Sequence, residues 1–404
     1  MENIAMIRPM KNSMQYDIAI IGAGLVGASL AAALKDCELS VALVEAGERH
    51  PPAHADEQAD DWDSRIYAIS PGSRRFLERI GAWQKLDQDR ICPVEQMRVF
   101  GDADSKLELS AYQVGIGELA CILENRALQH ALNQVLQVQD NLTLLNPARC
   151  AALSITDKAA EIALEDGRTL VAKLVVGADG RDSWIRNQAG ISAAPIDYRQ
   201  HGVVANFTCE HPHRNIAHQW FQTDGILALL PLPGRRVSMV WSVSPEKAKI
   251  LTGLSHQELA EQVASASGHT LGNLQLITPA AAFPLRLLTL PHISSPRIAL
   301  IGDAAHNMHP LAGQGVNTGF RDAQQLAQLL QNLGGCSDCG DAQLLRRYDR
   351  KRREDIVSMQ ATTFGLKNLF CNDDPVLRSL RNLGLNATNH LTPLKKLLMQ
   401  HAIN

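Results

Sequence analysis

The sequence predicts an α/β protein: a Rossmann-like dinucleotide-binding domain drawn from both ends of the chain, an antiparallel β-sheet domain inserted between them, and helices at the C-terminus. Three observations carry this reading. Near the start, the apolar run 16–21 opens into Gly22-Ala23-Gly24-Leu25-Val26-Gly27, a spacing that lets a helix N-terminus hold a pyrophosphate. Far downstream, the apolar run 298–301 ends in Gly302-Asp303-Ala304-Ala305-His306, followed by Pro310-Leu311-Ala312-Gly313-Gln314-Gly315. That second stretch offers a carboxylate beside another glycine-rich helix start. Between the two, residues 203–208, 217–222, 226–231 and 236–242 alternate or run apolar between Gly/Pro turns, as an antiparallel sheet does. The two glycine stretches together point to a FAD site assembled from both ends of the chain, and so to an oxidoreductase.

Each element follows in order. Residues 1–14 read as a flexible extension, and 15–195 as the first part of the cofactor domain. Gly22 serves the tight turn, Gly24 lets backbone approach phosphate, and Gly27 allows close helix–strand contact. Residues 25–34, rich in Ala, Leu and Val, form the helix. The next apolar run, 41–44, ends in Glu45, about 20 residues on, where a carboxylate can accept ribose hydroxyls. Residues 50–63 are a polar, acidic excursion. Residues 66–69 lead into Ser70-Pro71, and 71–80 reads as a helix capped by Ser70, while 122–138 carries apolar residues at helical spacing. Short strands are expected at 142–145, 151–155, 161–164 and 169–171, with a hairpin turn at Glu165-Asp166-Gly167-Arg168. A further strand, 173–176, runs into Gly177-Ala178-Asp179-Gly180. Residues 196–290 are the inserted sheet domain, 291–335 the return to the cofactor domain and 336–404 a helical region. The basic run from Arg346 to Arg353 reads as a solvated helix face with intrahelical pairs, and 375–399 as an amphipathic tail, packed or interfacial.

Composition bounds the class. The 404 residues exceed one typical domain of roughly 100–200 residues, and 45% apolar with 20% charged residues can build a sizeable core. A net charge of −3 gives no electrostatic argument for nucleic acid. The uncharged stretch 18–34 follows Arg8 and Lys11, yet its glycines fall at the dinucleotide spacing. It is also short of the roughly 20 apolar residues of a spanning helix. The eight scattered cysteines are expected as free thiols in a reducing, cytoplasmic setting. Cys336-Ser337-Asp338-Cys339 reads as a surface loop with two thiols rather than a zinc site, since no second pair accompanies it. His306 and His309 read as structural hydrogen-bonding groups, and no metal is expected.

Three stretches with their neighbours resemble a known family. Gly22–Gly27 with Glu45, Val175-Val176-Gly177-Ala178-Asp179-Gly180-Arg181-Asp182-Ser183 with Arg186, and Gly302-Asp303 with the run Pro310 to Asn317 are similar to the fingerprints of class A flavoprotein aromatic hydroxylases, the p-hydroxybenzoate hydroxylase fold. The last two, with Asp63, Arg65-Ile66, Glu124-Asn125-Arg126 and Leu128-Gln129, resemble the ubiquinone-biosynthesis hydroxylase subfamily over about residues 16–353. The resemblance implies a GR2-type FAD-binding domain in which Gly22, Gly24 and Gly27 hold the pyrophosphate and Glu45 the adenosine ribose. Arg65 and Arg126 would reach phosphate or the flavin side, since a guanidinium donates in a planar fork. Asp179 and Gly180 would lie near the cofactor and the NAD(P)H path, and Asp303 would accept from the ribityl chain. Pro310, Gly313, Gly315 and Asn317 would frame the isoalloxazine, where helix N–H groups favour negative charge on reduced flavin.

By the same resemblance no side chain is catalytic: a flavin C4a-hydroperoxide, formed with NAD(P)H and O2, carries the chemistry. Water must then be excluded, and Phe207, Trp220, Phe221, Leu229 and Trp241 of the inserted sheet are candidates to line an apolar substrate pocket. The expected substrate is a polyprenylated phenol or benzoquinol, so the enzyme would visit the inner membrane surface or a biosynthetic complex; homo-oligomerisation is left open. Two alternatives stand beside this: a hydroxylase of a soluble aromatic or a prenyl reductase on the same fold, and a non-catalytic FAD-holding partner in a complex.

Overall fold

The computed structural model describes residues 13–48, 61–101, 105–193, 195–310, 313–333 and 338–370. The expected extension 1–14 lies almost wholly outside these residues. So do most of the excursion 50–63 and the amphipathic tail 375–399. Strand Ser13–Ile21 lies at the centre of an eight-stranded sheet. It pairs in parallel with Thr169–Gly177 on one side and Val41–Val44 on the other. Ile298–Leu300 extends the sheet in parallel beyond Thr169–Gly177, and Leu142–Leu145 does so beyond Val41–Val44. Residues 18–21 and 41–44 are buried without a polar interruption, as expected of parallel strands covered on both faces. The hairpin predicted at 165–168 joins Ala160–Leu164 antiparallel to Thr169–Gly177, with Gly167 at φ +87° in the turn. The two strands expected at 169–171 and 173–176 are one nine-residue strand.

Helix Leu25–Ala33 packs against both Asn125–Leu136 and Gly315–Gln331. Its contact with the latter is close because Gly319 has no side chain: a Cβ there would stand 2.6 Å from a Val26 methyl. Helix Pro71–Arg79 starts as predicted, with Ser70 Oγ accepting from Ser73 N. The helix expected over 122–138 begins later, at Asn125, because residues Ala120–Glu124 form the central strand of a small sheet with Ile66–Ile69 and Cys92–Val94. Cys121, Ile122 and Leu123 are buried there, and a short apolar run suits a buried strand as well as a helix.

The second large sheet is mainly antiparallel. Ile196–Cys209, Arg236–Val243, Gly225–Leu232 and Ile216–Gln222 succeed one another across it. Gln96–Phe100 and Lys106–Ser110 extend this sheet, so it takes in residues upstream of the 196–290 span. Leu274–Leu276 and Ala281–Leu287 complete the opposite edge. Two helices that the sequence reading passed over, Pro245–Gly253 and His256–Ala266, cover one face, with caps from Ser244 and Ser255. The chain then crosses to the parallel sheet and ends its described part in one long helix, Ala342–Phe370. Among the described residues no helix is long and apolar enough to cross a membrane.

Candidate cofactor site

The three glycine stretches leave the C-terminal ends of neighbouring parallel strands, where ligands of open α/β sheets bind. Ile21 stands beside Gly177 and Val44, and Gly177 beside Leu300. Backbone bonds then knit the loops: Gly22 N donates to Val44 O at 2.8 Å, Ala178 N to Ile21 O at 2.8 Å and Ile301 N to Gly177 O at 3.0 Å. Residues 280 positions apart in sequence thus form one rim.

The glycines divide into those that touch protein and those that face open space. Gly22 has φ +104°, and a Cβ would come within 2.4 Å of Ala178 O; at Gly27 it would meet Gly22 O at 2.0 Å. These two allow the loop to close. At Gly24, Gly180 and Gly315 an added Cβ would meet nothing within 4 Å. Gly24 caps helix Leu25–Ala33 with no side-chain cap and no acid in the first turn, and helix Gly315–Gln331 likewise begins with neither. Two helix N-termini therefore keep free N–H groups and their positive dipole ends. This arrangement fits a pyrophosphate at the first and an electron-rich ring at the second.

Glu45 anchors the first loop: Oε2 accepts from Ala23 N at 2.8 Å and Oε1 from Gly47 N at 2.9 Å. A carboxylate has about four acceptor sites, so it retains capacity for a ribose. Asp303 is exposed, and its carboxylate accepts no hydrogen bond within the described residues, as suits an acceptor for a ligand hydroxyl. Pro310 O accepts from Gly313 N at 3.0 Å, and Gly313 sits at φ +61°. Buried Asn317 is a clamp: Nδ2 donates to Ala68 O at 2.8 Å and Gly313 O at 3.1 Å, and Oδ1 accepts from Ser70 N at 2.9 Å. It shapes the ring-side loop through protein bonds.

Other expected ligands are placed differently. Asp179 accepts from Ser183 Oγ at 2.6 Å and Ile185 N at 3.0 Å, so its carboxylate caps the short helix Trp184–Gln188; what faces open space is Gly180 beside it. Arg126 pairs with Asp61 at 2.6 Å, while its backbone N donates to Asp63 Oδ2 at 3.1 Å. Arg65 is exposed, its guanidinium 5.5 Å from the Tyr67 ring centroid. Of the two, Arg65 is the more exposed.

The apolar pocket reading needs correction by face. Phe207, Leu229 and Trp241 are buried in the core between the antiparallel sheet and its two helices, and Trp220 packs on the same core. They line no open pocket. Phe221, one residue on, has the opposite orientation and packs near Val99 and Leu107. The face pointing away from the helices carries Val204, Val240 and Ala228 in one cross-strand row, each partly exposed. Its neighbour Leu230 packs with Ile66 and Ala68, and Asn206 Nδ2 donates to Asp63 O at 2.8 Å. Ala68 is the residue that Asn317 holds, so this face adjoins the ring-side loop. Large apolar residues mark the core face, and Val204, Ala228 and Val240 the partly exposed opposite one.

A buried polar network, missed in the sequence, supports the Gly302 loop. Asp322 is fully buried, accepting from Gly302 N at 2.9 Å and bonding His306 Nε2 and Arg352 Nε at 2.6 Å each. Burial alone would raise its pKa, but His306 and Arg352 outweigh that and hold it below the usual carboxylate value. The available signal was an acid on the apolar stripe of the helix, between Gly319 and Leu326. His309 bonds Gln200 Oε1 at 3.1 Å, so both histidines are structural, and no group that could hold a metal occurs among the described residues. Cys339 corrects the expected surface loop: it is buried, its Sγ donates to Asp17 O, and burial pushes the thiol up to about 12. Cys336 lies outside the described residues.

Comparison with known proteins agrees with this geometry. A family model described as a FAD binding domain matches residues 15–364. A ubiquinone hydroxylase of Rhodospirillum rubrum is 37% identical over 391 residues, covering 96% of this chain and 89% of that protein. The 3-demethoxyubiquinol 3-hydroxylase of Escherichia coli is 34% identical, covering 96% and 98%. Among solved structures, p-nitrophenol 4-monooxygenase from Pseudomonas putida superimposes with a TM-score of 0.78 at 16% identity, covering 97% of this chain and 99% of that one. Klebsiella pneumoniae HpxO, solved with FAD, superimposes with a TM-score of 0.75 at 16% identity, covering 96% and 98%. Both show the shared fold.

Proposed function

Because this chain belongs to the FAD binding domain family, alongside the ubiquinone hydroxylases, we propose that it is a FAD-dependent monooxygenase of ubiquinone biosynthesis. In this reading it hydroxylates the ring of a polyprenylated phenol or benzoquinol with NAD(P)H and O2. The observation that carries it is the joint rim of three strand-end loops, with open space at Gly24, Gly180 and Gly315. Bound there, FAD supplies hydride acceptance from NAD(P)H and activation of O2 for insertion of one oxygen atom.

The chain's own residues bind, orient and exclude. The N-terminus of Leu25–Ala33 and the Gly24 backbone hold the pyrophosphate, Glu45 the ribose, and Asp303 the ribityl hydroxyls. Arg65 reaches toward the cofactor from the rim, and Arg126 fixes the segment that carries it through Asp61 and Asp63. The N-terminus of Gly315–Gln331 stabilises negative charge on the ring. Val204, Ala228, Leu230 and Val240 offer an apolar wall that keeps water from the reacting centre. A prenylated substrate resides in a bilayer, so the protein works at the inner membrane surface as a peripheral visitor. In this reading 15–195 and 291–335 make up the cofactor domain and 196–290 the inserted domain, whose sheet also takes in Gln96–Phe100 and Lys106–Ser110.

Lipid extracts of cells lacking the protein test this directly by mass spectrometry. A prenylated intermediate short of one hydroxyl is the expected result. Unchanged ubiquinone without such an intermediate, in cells with no redundant hydroxylase, overturns the reading in favour of a soluble aromatic substrate.

A further inference from the structure

A second cavity, of about 710 Å³, lies between helices Pro71–Arg79, Gly315–Gln331 and Ala342–Phe370. None of its lining residues belongs to the glycine loops, and the function proposed above gives it no task. Its volume falls within the usual range of small-molecule sites. Arginine dominates its walls: Arg75, Arg79, Arg321 and Arg352 against one acid, Glu78.

The carboxylates nearby are already engaged. Glu78 pairs with Arg74 at 2.8 Å, Asp322 with Arg352 at 2.6 Å, and Asp355 with Arg352 at 2.7 Å and Arg321 at 3.2 Å. Arg75 and Arg79 are exposed and have no carboxylate partner among the described residues. Arg321 is engaged too, Nη1 with Asp355 and Nη2 with Thr318 Oγ1, which leaves Arg75 and Arg79 as the cations open to a ligand.

We propose that this cavity binds a phosphate-bearing anion, held by Arg75 and Arg79. Arginine forks match phosphate oxygens bidentately. Two sources share that chemistry: a free phosphate or pyrophosphate compound, and the headgroup of an anionic phospholipid.

The test uses the FAD-loaded protein and the Arg75→Gln/Arg79→Gln variant, whose altered side chains are exposed and outside the cofactor loops. One arm titrates inorganic pyrophosphate against thermal unfolding, with chloride at matched ionic strength as the control. The other measures co-sedimentation with phosphatidylcholine vesicles, with and without phosphatidylglycerol. A saturable rise in Tm with pyrophosphate, weakened about tenfold or more in the variant, supports the site and identifies a free phosphate compound. Binding only to phosphatidylglycerol vesicles, lost in the variant, supports it and identifies a lipid headgroup. No saturable response to either probe, or equal responses from both proteins, overturns it. Flavin content and the ligand-free Tm are expected to be the same in both proteins.

Discussion

The parallel sheet and the antiparallel sheet present their working surfaces in different ways. The first works at the ends of its strands, where backbone from three distant stretches meets and nearly every contact is a main-chain bond or a missing Cβ. The second works on one face, where alternate side chains decide what is core and what is wall. An end-built site depends on a few positions that tolerate no added atom. A face-built site depends on many positions, each modest, and on which parity points outward. Substitutions in the two sheets are therefore expected to fail in different ways, and that difference can be broken or sharpened by measurement.

The largest effect is expected at the strand ends. Gly27→Ala places a Cβ 2.0 Å from Gly22 O, which no rotamer change relieves. Purified variant is expected without flavin, with stability lowered by about 3 kcal/mol or more, read from flavin absorbance and denaturant unfolding. A flavinylated variant of normal stability would show that the rim is less constrained than its geometry indicates. Next comes the antiparallel core. Leu229→Ala should cost about 2–5 kcal/mol while leaving KM for the aromatic substrate nearly unchanged in the folded fraction.

A pH effect separates the sheets further. His218 is buried in the antiparallel sheet, ring-stacked with Phe100 and Trp220. Burial, with Arg98 next, lowers its pKa to about 4. The unfolded chain, with an ordinary value near ~6.5, binds this proton more readily, so stability is full above that value and falls on acidification toward pH ~4. The loss is of the order of 3 kcal/mol. In His218→Phe, the part of the decline between those two values should disappear from thermal unfolding profiles.

Smaller still is Asp303→Ala, whose carboxylate is exposed and accepts no hydrogen bond among the described residues. It is expected to weaken FAD by about tenfold or more with apoprotein Tm unchanged. A fully flavinylated, active variant would remove Asp303 from the site. The smallest effect belongs to the outward face: Val240→Phe should change KM by roughly threefold, less than about 1 kcal/mol, without loss of stability. If Val240→Phe destabilised as much as Leu229→Ala, the distinction between the faces would fail.

What the sequence made legible follows the same division. The loops that carry Gly22, Gly24, Gly27, Glu45, Asp303 and Gly313 could be picked out because a strand-end loop is contiguous, and its glycines are dictated by local geometry. The Ser70 cap was readable for a similar reason, since it is set by the residues next to it. The substrate wall was not, because hydrophobicity ranks residues by burial. Phe207, Leu229 and Trp241 scored highly through being core, and only the register of neighbouring strands identifies Val204, Ala228 and Val240 as the opposite face. Asp179 and Asn317 were legible as positions, but their protein partners, Ser183 and Ile185 for one, Ala68 and Ser70 for the other, appear only after folding. Asp322 was silent for a related reason: its partners Gly302, His306 and Arg352 come from separate segments.

The strand order of the parallel sheet also sets a timetable. Thr169–Gly177 can pair with Ser13–Ile21 and Ala160–Leu164 as soon as they have left the ribosome, but Val175–Gly177 on its other edge wait for Ile298–Leu300, made only after the antiparallel sheet. Asn317, the residue that fixes the ring-side loop to Ala68 and Ser70, emerges later still. During synthesis the chain therefore carries an open sheet edge and half of a cofactor cradle, and the nascent protein gains the complete cradle only in its last quarter. A truncation ahead of residue 298 is expected to leave that stretch of strand edge unpaired and open to aggregation, and to lack the residues that complete the cradle.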